Sequence, residues 1–216
     1  MANKFITFEG IEGSGKSTQI KLVAQYLNEK NIPFIITQEP SGTDIGAKIG
    51  NILFNREHRN ICAETEVLLF CAARAQHVRD VILPALKQDK IVLCDRFSDA
   101  TYVYQGFGRG LNQECIKWLN DYSAMFLKPE RTLLFDLPVV TGLKRATERN
   151  SRLEEPSTAD RFERENLEFH NRIREGYLAM MKNEPERFRL INADRDIGAI
   201  QQDVRQCIND FINSGK

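Results

Sequence analysis

No apolar run in the 216-residue chain approaches the ~18–20 residues needed to span a bilayer, which argues against a membrane protein. Positive charge is not in surplus either, because thirty Lys plus Arg stand against thirty Asp plus Glu. A chain that coats nucleic acid needs such a surplus, so that class is excluded, while a small anion held by a few placed cations is not. The five cysteines, Cys62, Cys71, Cys94, Cys115 and Cys207, are odd in number and form no C-x-x-C pair. A reducing cytoplasm therefore fits better than a disulfide framework. Three scattered histidines, His58, His77 and His170, have no metal-binding spacing, and no zinc site is expected. Met1 to Lys4 run straight into strand-like residues, so no secretory leader is expected. Repeats and low-complexity tracts are missing too.

What remains is 42% hydrophobic and 28% charged, the balance of a soluble globular domain with a sizeable core. Short apolar runs alternate with helical periodicity. Strands are expected at Phe5–Phe8, Phe34–Thr37, Lys90–Cys94, Thr132–Phe135 and Phe188–Ile191. Helices are expected at Ser17–Lys30, Glu64–Lys87, Thr141–Arg149, Arg161–Met181 and Ile197–Ile212, with Pro84 kinking the end of the second. That alternation predicts one α/β domain, a five-stranded parallel sheet flanked by helices. The polar stretch Asn150–Ala159, bracketed by arginines, reads as a flap within that domain, so a lid is expected at about 149–160.

Gly10-Ile11-Glu12-Gly13-Ser14-Gly15-Lys16-Ser17 matches G-x-x-x-x-G-K-[ST] at every fixed position, between a strand and an amphipathic helix. Such a loop points successive backbone N–H groups at one anion, and the helix N-terminus adds partial positive charge. Residues Gly10 to Thr18 are therefore expected to bind ATP. Lys16 supplies a charge for the β- and γ-phosphates, and Ser17 a hydroxyl for Mg²⁺. Asp95-Arg96 directly follows a strand, and ligands of parallel sheets gather at the carboxyl ends of strands. Asp95 should thus sit beside Mg²⁺ and Arg96 beside a phosphate. No N-K-x-D base-reading motif of GTPases occurs.

The phosphate loop, Glu39-Pro40 with Gly42-Thr43, Leu69 to Arg74, Asp95-Arg96-Phe97, Tyr104-Gln105-Gly106 and Asp160 to Glu163 follow one another in an order and spacing that resemble the bacterial thymidylate kinases, over about residues 4 to 212. The resemblance implies phosphorylation of dTMP to dTDP by ATP. It implies that Phe70 stacks on thymine and Arg74 donates to O4; the two lie four residues apart and share a helix face. It further implies Thr101 at the N3 edge, Tyr104 against the 2′ position, Gln105 as another contact, Glu12 on the 3′-hydroxyl, and Glu39 at the monophosphate site. Two positions depart from the family: Gln38 stands where many members have arginine, and Ala100 where relatives often carry serine. Loss of that arginine places more of the grip on Arg96.

An ionised phosphate oxygen needs no strong general base, so the reaction should depend on alignment and on neutralised charge. Ile11 to Ser14 contain no arginine; in the bacterial type the lid supplies it, which points to Arg149 and Arg152, with Arg161 as a third candidate. The family resemblance implies a homodimer, and the long apolar helix Glu64–Lys87 together with the stretch around Trp118 offers it a self-complementary surface. Another monophosphate or deoxynucleoside kinase on the same scaffold, and a nucleotide-binding sensor without turnover, stay open as alternatives.

Overall fold

Five β-rich runs pair into one parallel sheet: β1 (Phe5–Glu9), β2 (Phe34–Gln38), β3 (Ile91–Asp95), β4 (Arg131–Asp136) and β5 (Phe188–Asn192), in spatial order β2-β3-β1-β4-β5. Each lies within a residue or so of its sequence expectation. The computed structural model describes residues 4–55, 57–58, 60–151 and 161–214. Side chains along β1 alternate between the two faces. Ile6 and Phe8 join a cluster with Ile20, Leu93, Leu133 and Ile173, whereas Phe5 packs with Val78, Ile82 and Val92. A sheet buried on both faces needs this continuous apolar character.

Among the described residues nine α-helices cover the sheet: α1 (Lys16–Glu29), α2 (Asp44–Phe54), α3 (Ala63–His77), α4 (Leu83–Lys87), α5 (Ser98–Thr101), α6 (Gln113–Ser123), α7 (Val139–Ser151), α8 (Leu167–Asn183) and α9 (Ile197–Ser214). Two π-helical segments, Val78–Ile82 and Tyr102–Gly108, interrupt the helical runs. The first explains how Pro84 is tolerated. Its wider register ends one helix and begins another, placing Pro84 in the first turn of α4, where no backbone N–H is required. The single helix expected over Glu64–Lys87 is therefore three consecutive segments.

The helix expected from Arg161 begins later. Residues 161–165 form turns, and α8 starts at Leu167 because Asn166 caps it, its side chain accepting from the Phe169 N–H. Helices α2 and α6 were not expected at all. Thr43 and Asn112 cap them, each side chain accepting from a backbone N–H three residues on.

The sheet register lines up three strand ends. Phe8 pairs with Asp95, and Asp95 with Gln38, so the phosphate loop after β1, the Asp95-Arg96 turn and Glu39 emerge side by side.

Candidate active site

Two glycines shape the phosphate loop. Gly15 caps α1 at φ 89°, a left-handed conformation that a side chain would disfavour. Gly13, at φ 68°, lies flat on α7, and a Cβ there would come within 2.0 Å of the Gly142 carbonyl oxygen. Lys16 is almost wholly buried inside the loop, and its ammonium donates to the carbonyls of Gly10 (3.1 Å) and Ile11 (2.9 Å) and to Ser14 Oγ (3.1 Å). Burial first, and then the nearby Arg96 charge, lower its pKa to about 8, against the pull of Asp95, Glu12 and Glu9.

Two cavities meet at this loop. An open cleft of about 710 Å³ runs along Gly13 to Thr18 and on to Arg145, Arg195 and Ile197. A narrower cavity of about 220 Å³ has the Phe54, Phe70 and Phe162 rings at its wall and Lys16 and Arg96 among its cations. Gly13, Lys16, Ser17 and Arg149 line both. Of the nine loop residues expected to bind ATP, Gly13 to Thr18 face the open cleft. Gly10 and Ile11 instead brace Lys16, and Glu12 turns into the narrower cavity.

Asp95 Oδ2 accepts from Ser17 Oγ at 2.8 Å, so the hydroxyl and carboxylate expected at a metal do converge. Arg96 follows with φ 65°, a strained conformation for a residue with a side chain. Its Nη2 donates to Glu12 Oε1 at 3.0 Å and its guanidinium lies 4.9 Å from the Tyr104 ring centre. The Tyr104 hydroxyl also donates to Glu12. Burial alone would raise the Glu12 pKa, but His170, Arg96 and Tyr104 outweigh it and hold the carboxyl well below the usual range. Beneath this group Glu9 is fully buried and takes the Phe97 N–H and the Tyr177 hydroxyl, each at 2.7 Å; burial, then Asp99, raise its pKa to about 8.

Phe70 and Arg74 do share a face of α3 and both line the narrower cavity. Phe70 sits 6.4 Å from Phe54 and 6.1 Å from Phe162 between ring centres. Arg74 is buried and donates to Glu39 (3.0 Å), Asn120 Oδ1 (2.7 Å) and Thr101 Oγ1 (2.7 Å). Glu39 is held in turn by His77, which reaches Thr37 Oγ1 at 2.6 Å. Gln105 and Ala100 line the same wall.

Arg149 reaches Glu163 Oε1 at 2.6 Å, and Asn150 donates to the other oxygen of that carboxylate. Arg152 and the remainder of the expected lid, 152–160, lie outside the described residues. Arg161 turns into a buried cluster with Glu66 and the Leu53 carbonyl, away from its expected phosphate role. Sequence reasoning passed over Phe54, Asn120 and Glu66. Glu66 alone left a trace, because 66, 70 and 74 form one stripe of α3.

A parallel sheet with a phosphate loop at its central strand, and a second cavity lined by Lys16 and Arg96 beside it, defines a P-loop phosphotransferase of the nucleoside monophosphate kinase kind. The thymidylate kinase family profile matches residues 8–204. The chain is 58% identical to a thymidylate kinase of Syntrophus aciditrophicus over 200 residues, 93% of this chain and 91% of that one. It is 48% identical to that of Geotalea uraniireducens over 193 residues, 89% of this chain and 90% of that one. The crystal structure of thymidylate kinase from Ehrlichia chaffeensis superposes with a TM-score of 0.74 at 31% identity, covering 97% of this chain and all of that one. The chain belongs to the thymidylate kinase family.

Proposed function

We propose that the chain transfers the γ-phosphoryl group of ATP to dTMP, giving dTDP and ADP on the route to dTTP. The carrying observation is the meeting of two cavities at Gly13, Lys16, Ser17 and Arg149, where two phosphate chains can face each other. ATP occupies the open cleft along Gly13 to Thr18, and dTMP the narrower cavity.

Phe70 offers its face to thymine. Contacts to Glu39, Asn120 and Thr101 take four of the five N–H groups of Arg74 among the described residues, and the remaining Nη1 hydrogen serves O4. Thr101 and Gln105 stand at the pyrimidine edge, and Glu39 fixes Arg74. Glu12 accepts from the 3′-hydroxyl while Tyr104 fills the space a 2′-hydroxyl would need. Arg96 holds the monophosphate.

A dTMP phosphate oxygen attacks the γ-phosphorus, and the bond from that phosphorus to the β–γ bridging oxygen breaks as ADP departs. Lys16, Arg96 and Arg149 neutralise the charge that spreads over the transferring group; Arg152 joins them if the lid acts as the family resemblance implies. The paired hydroxyl and carboxylate of Ser17 and Asp95 are hard oxygen donors that suit Mg²⁺. When bound, the ion would add charge neutralisation at the β- and γ-phosphates.

Two further readings belong here. Trp118 and Tyr122 stack on one exposed face of α6 at 5.4 Å, and Leu68 is exposed on the adjoining α3, which supports a homodimer through these helices. No helix among the described residues is long and apolar enough to cross a membrane, and five free cysteines suit the cytoplasm. The function is tested by measuring ADP release with each common nucleoside monophosphate, ATP and Mg²⁺. dTMP should give the highest kcat/KM; preference for another monophosphate, or turnover of none, would overturn the reading.

A further inference from the structure

Glu66 is completely buried on α3, one turn before Phe70, yet it does not line the cavity. Three side chains converge on its carboxylate. Gln105 Nε2 donates to Oε1 at 2.7 Å, Arg109 donates to both oxygens at 3.2 and 3.3 Å, and Arg161 Nη2 donates to Oε2 at 2.5 Å. The two arginines are tied down elsewhere: Arg109 to Glu165 at 2.6 Å, and Arg161 to the Leu53 carbonyl at 3.1 Å. Phosphoryl transfer has no evident use for this junction.

Its effect is on Gln105, a fully buried residue of the second π-helical segment that does line the cavity. A glutamine amide is ambiguous, since either end can face either way. A carboxylate removes the ambiguity because it only accepts. Nε2 must face Glu66, and Oε1 is thereby sent to the other side of the amide plane. That oxygen is buried and has no hydrogen-bond partner among the described residues. A buried acceptor without a donor is unfavourable, so the arrangement is completed by a ligand that brings an N–H.

We propose that Glu66 is a positioning residue for base recognition: it locks the Gln105 amide with its oxygen on the side away from Glu66, so that a base seated beside it requires a ring N–H. The inference rests on the proposed seating of dTMP. Arg74 then supplies a donor and Gln105 an acceptor among the residues that line one cavity. Thymine presents the complement, O4 beside N3–H. Cytosine presents the reverse, an amino donor beside a bare N3, and meets two mismatches. A flipped amide would remove one of them.

Glu66→Gln supplies a donor to Gln105 Oε1 and frees the amide to turn. The dTMP kcat/KM should fall at least about tenfold, mainly through KM for dTMP, while the KM for ATP holds. The efficiency with dCMP should not fall in parallel, so the dTMP/dCMP ratio shrinks. Adding Gln105→Glu restores an acceptor on the side away from position 66 and should return most of the dTMP preference. A folded Glu66→Gln variant with an unchanged ratio, or a proportional loss for both nucleotides that the double variant does not reverse, would overturn the proposal. Should either variant fail to fold, the unmodified enzyme can still refute the requirement for a ring N–H. 3-Methyl-dTMP lacks the N3–H and should be used at least about tenfold less well than dTMP; equal use overturns the proposal. Failure of the unmodified enzyme to phosphorylate dTMP would instead sink the underlying function.

Discussion

Lys16 carries the charge proposed to hold the nucleotide phosphates, and burial has brought its deprotonation toward neutral pH. With its pKa lowered to about 8, the cation is present below that pH and lost as pH rises through it. ATP affinity of the free enzyme should therefore weaken from about pH 8 upward, as followed by calorimetric titration between pH 7 and 9.5. Lys16→Arg keeps its charge across this range, so its affinity, although lower, should stay flat; a falling profile in that variant would assign the titration elsewhere. The residues most legible in the sequence were those fixed by local pattern. Lys16 and Ser17 follow from the loop motif, Asp95 and Arg96 from a strand end, and Phe70 with Arg74 from helix spacing. Asn120 was not legible, because its bond to Arg74 spans 46 positions and no local signal announces it. The same holds for His170, which meets Glu12 across the fold at 3.4 Å.

At the scale of elements, the loop and α7 form one unit. Gly13 and Gly142 meet backbone to backbone, and a Cβ on Gly142 would stand 2.6 Å from the Glu12 carbonyl oxygen. Helix α7 carries Arg149 near its end, so this contact sets the distance between the phosphate loop and that cation. Gly13→Ala has to push two backbones apart and should destabilise by roughly 2–4 kcal/mol in urea unfolding, with a raised KM for ATP. Gly15→Ala meets no neighbouring atom within 4 Å and suffers only its left-handed φ, about 1–2 kcal/mol. Equal losses in the two variants would contradict the role given to the α7 contact. All five strands were readable because buried parallel strands are nearly continuous apolar runs. Helix α2 escaped since Gly46 and Gly50 dilute its helical signal; Gly46 is needed where a Cβ would lie 2.1 Å from the Pro40 carbonyl oxygen. The π-helical segments escaped because one inserted residue shifts the period that sequence reading relies on.

For the whole molecule, zero net charge hides a local clustering of both signs, with Lys16, Arg74, Arg96 and Arg149 gathered about the cavities and Glu12, Glu39 and Asp95 set among them. Association is the property that this scale adds. If α3 and α6 form the homodimer interface, Trp118→Glu with Tyr122→Glu should shift sedimentation velocity from dimer to monomer at micromolar concentration. A wild-type monomer, or a variant that stays dimeric, would remove that surface from consideration.

The central place of β1 has a consequence for how the chain acquires its structure. Strand β1, which precedes the other four in the chain, ends up between β3 and β4, whose residues lie at 91–95 and 131–136. Until those segments have been synthesised, β1 has neither neighbour, and its closure over such long separations carries a large entropic barrier. The phosphate loop at its end is therefore made ahead of β3 and β4 and set in place only once both exist.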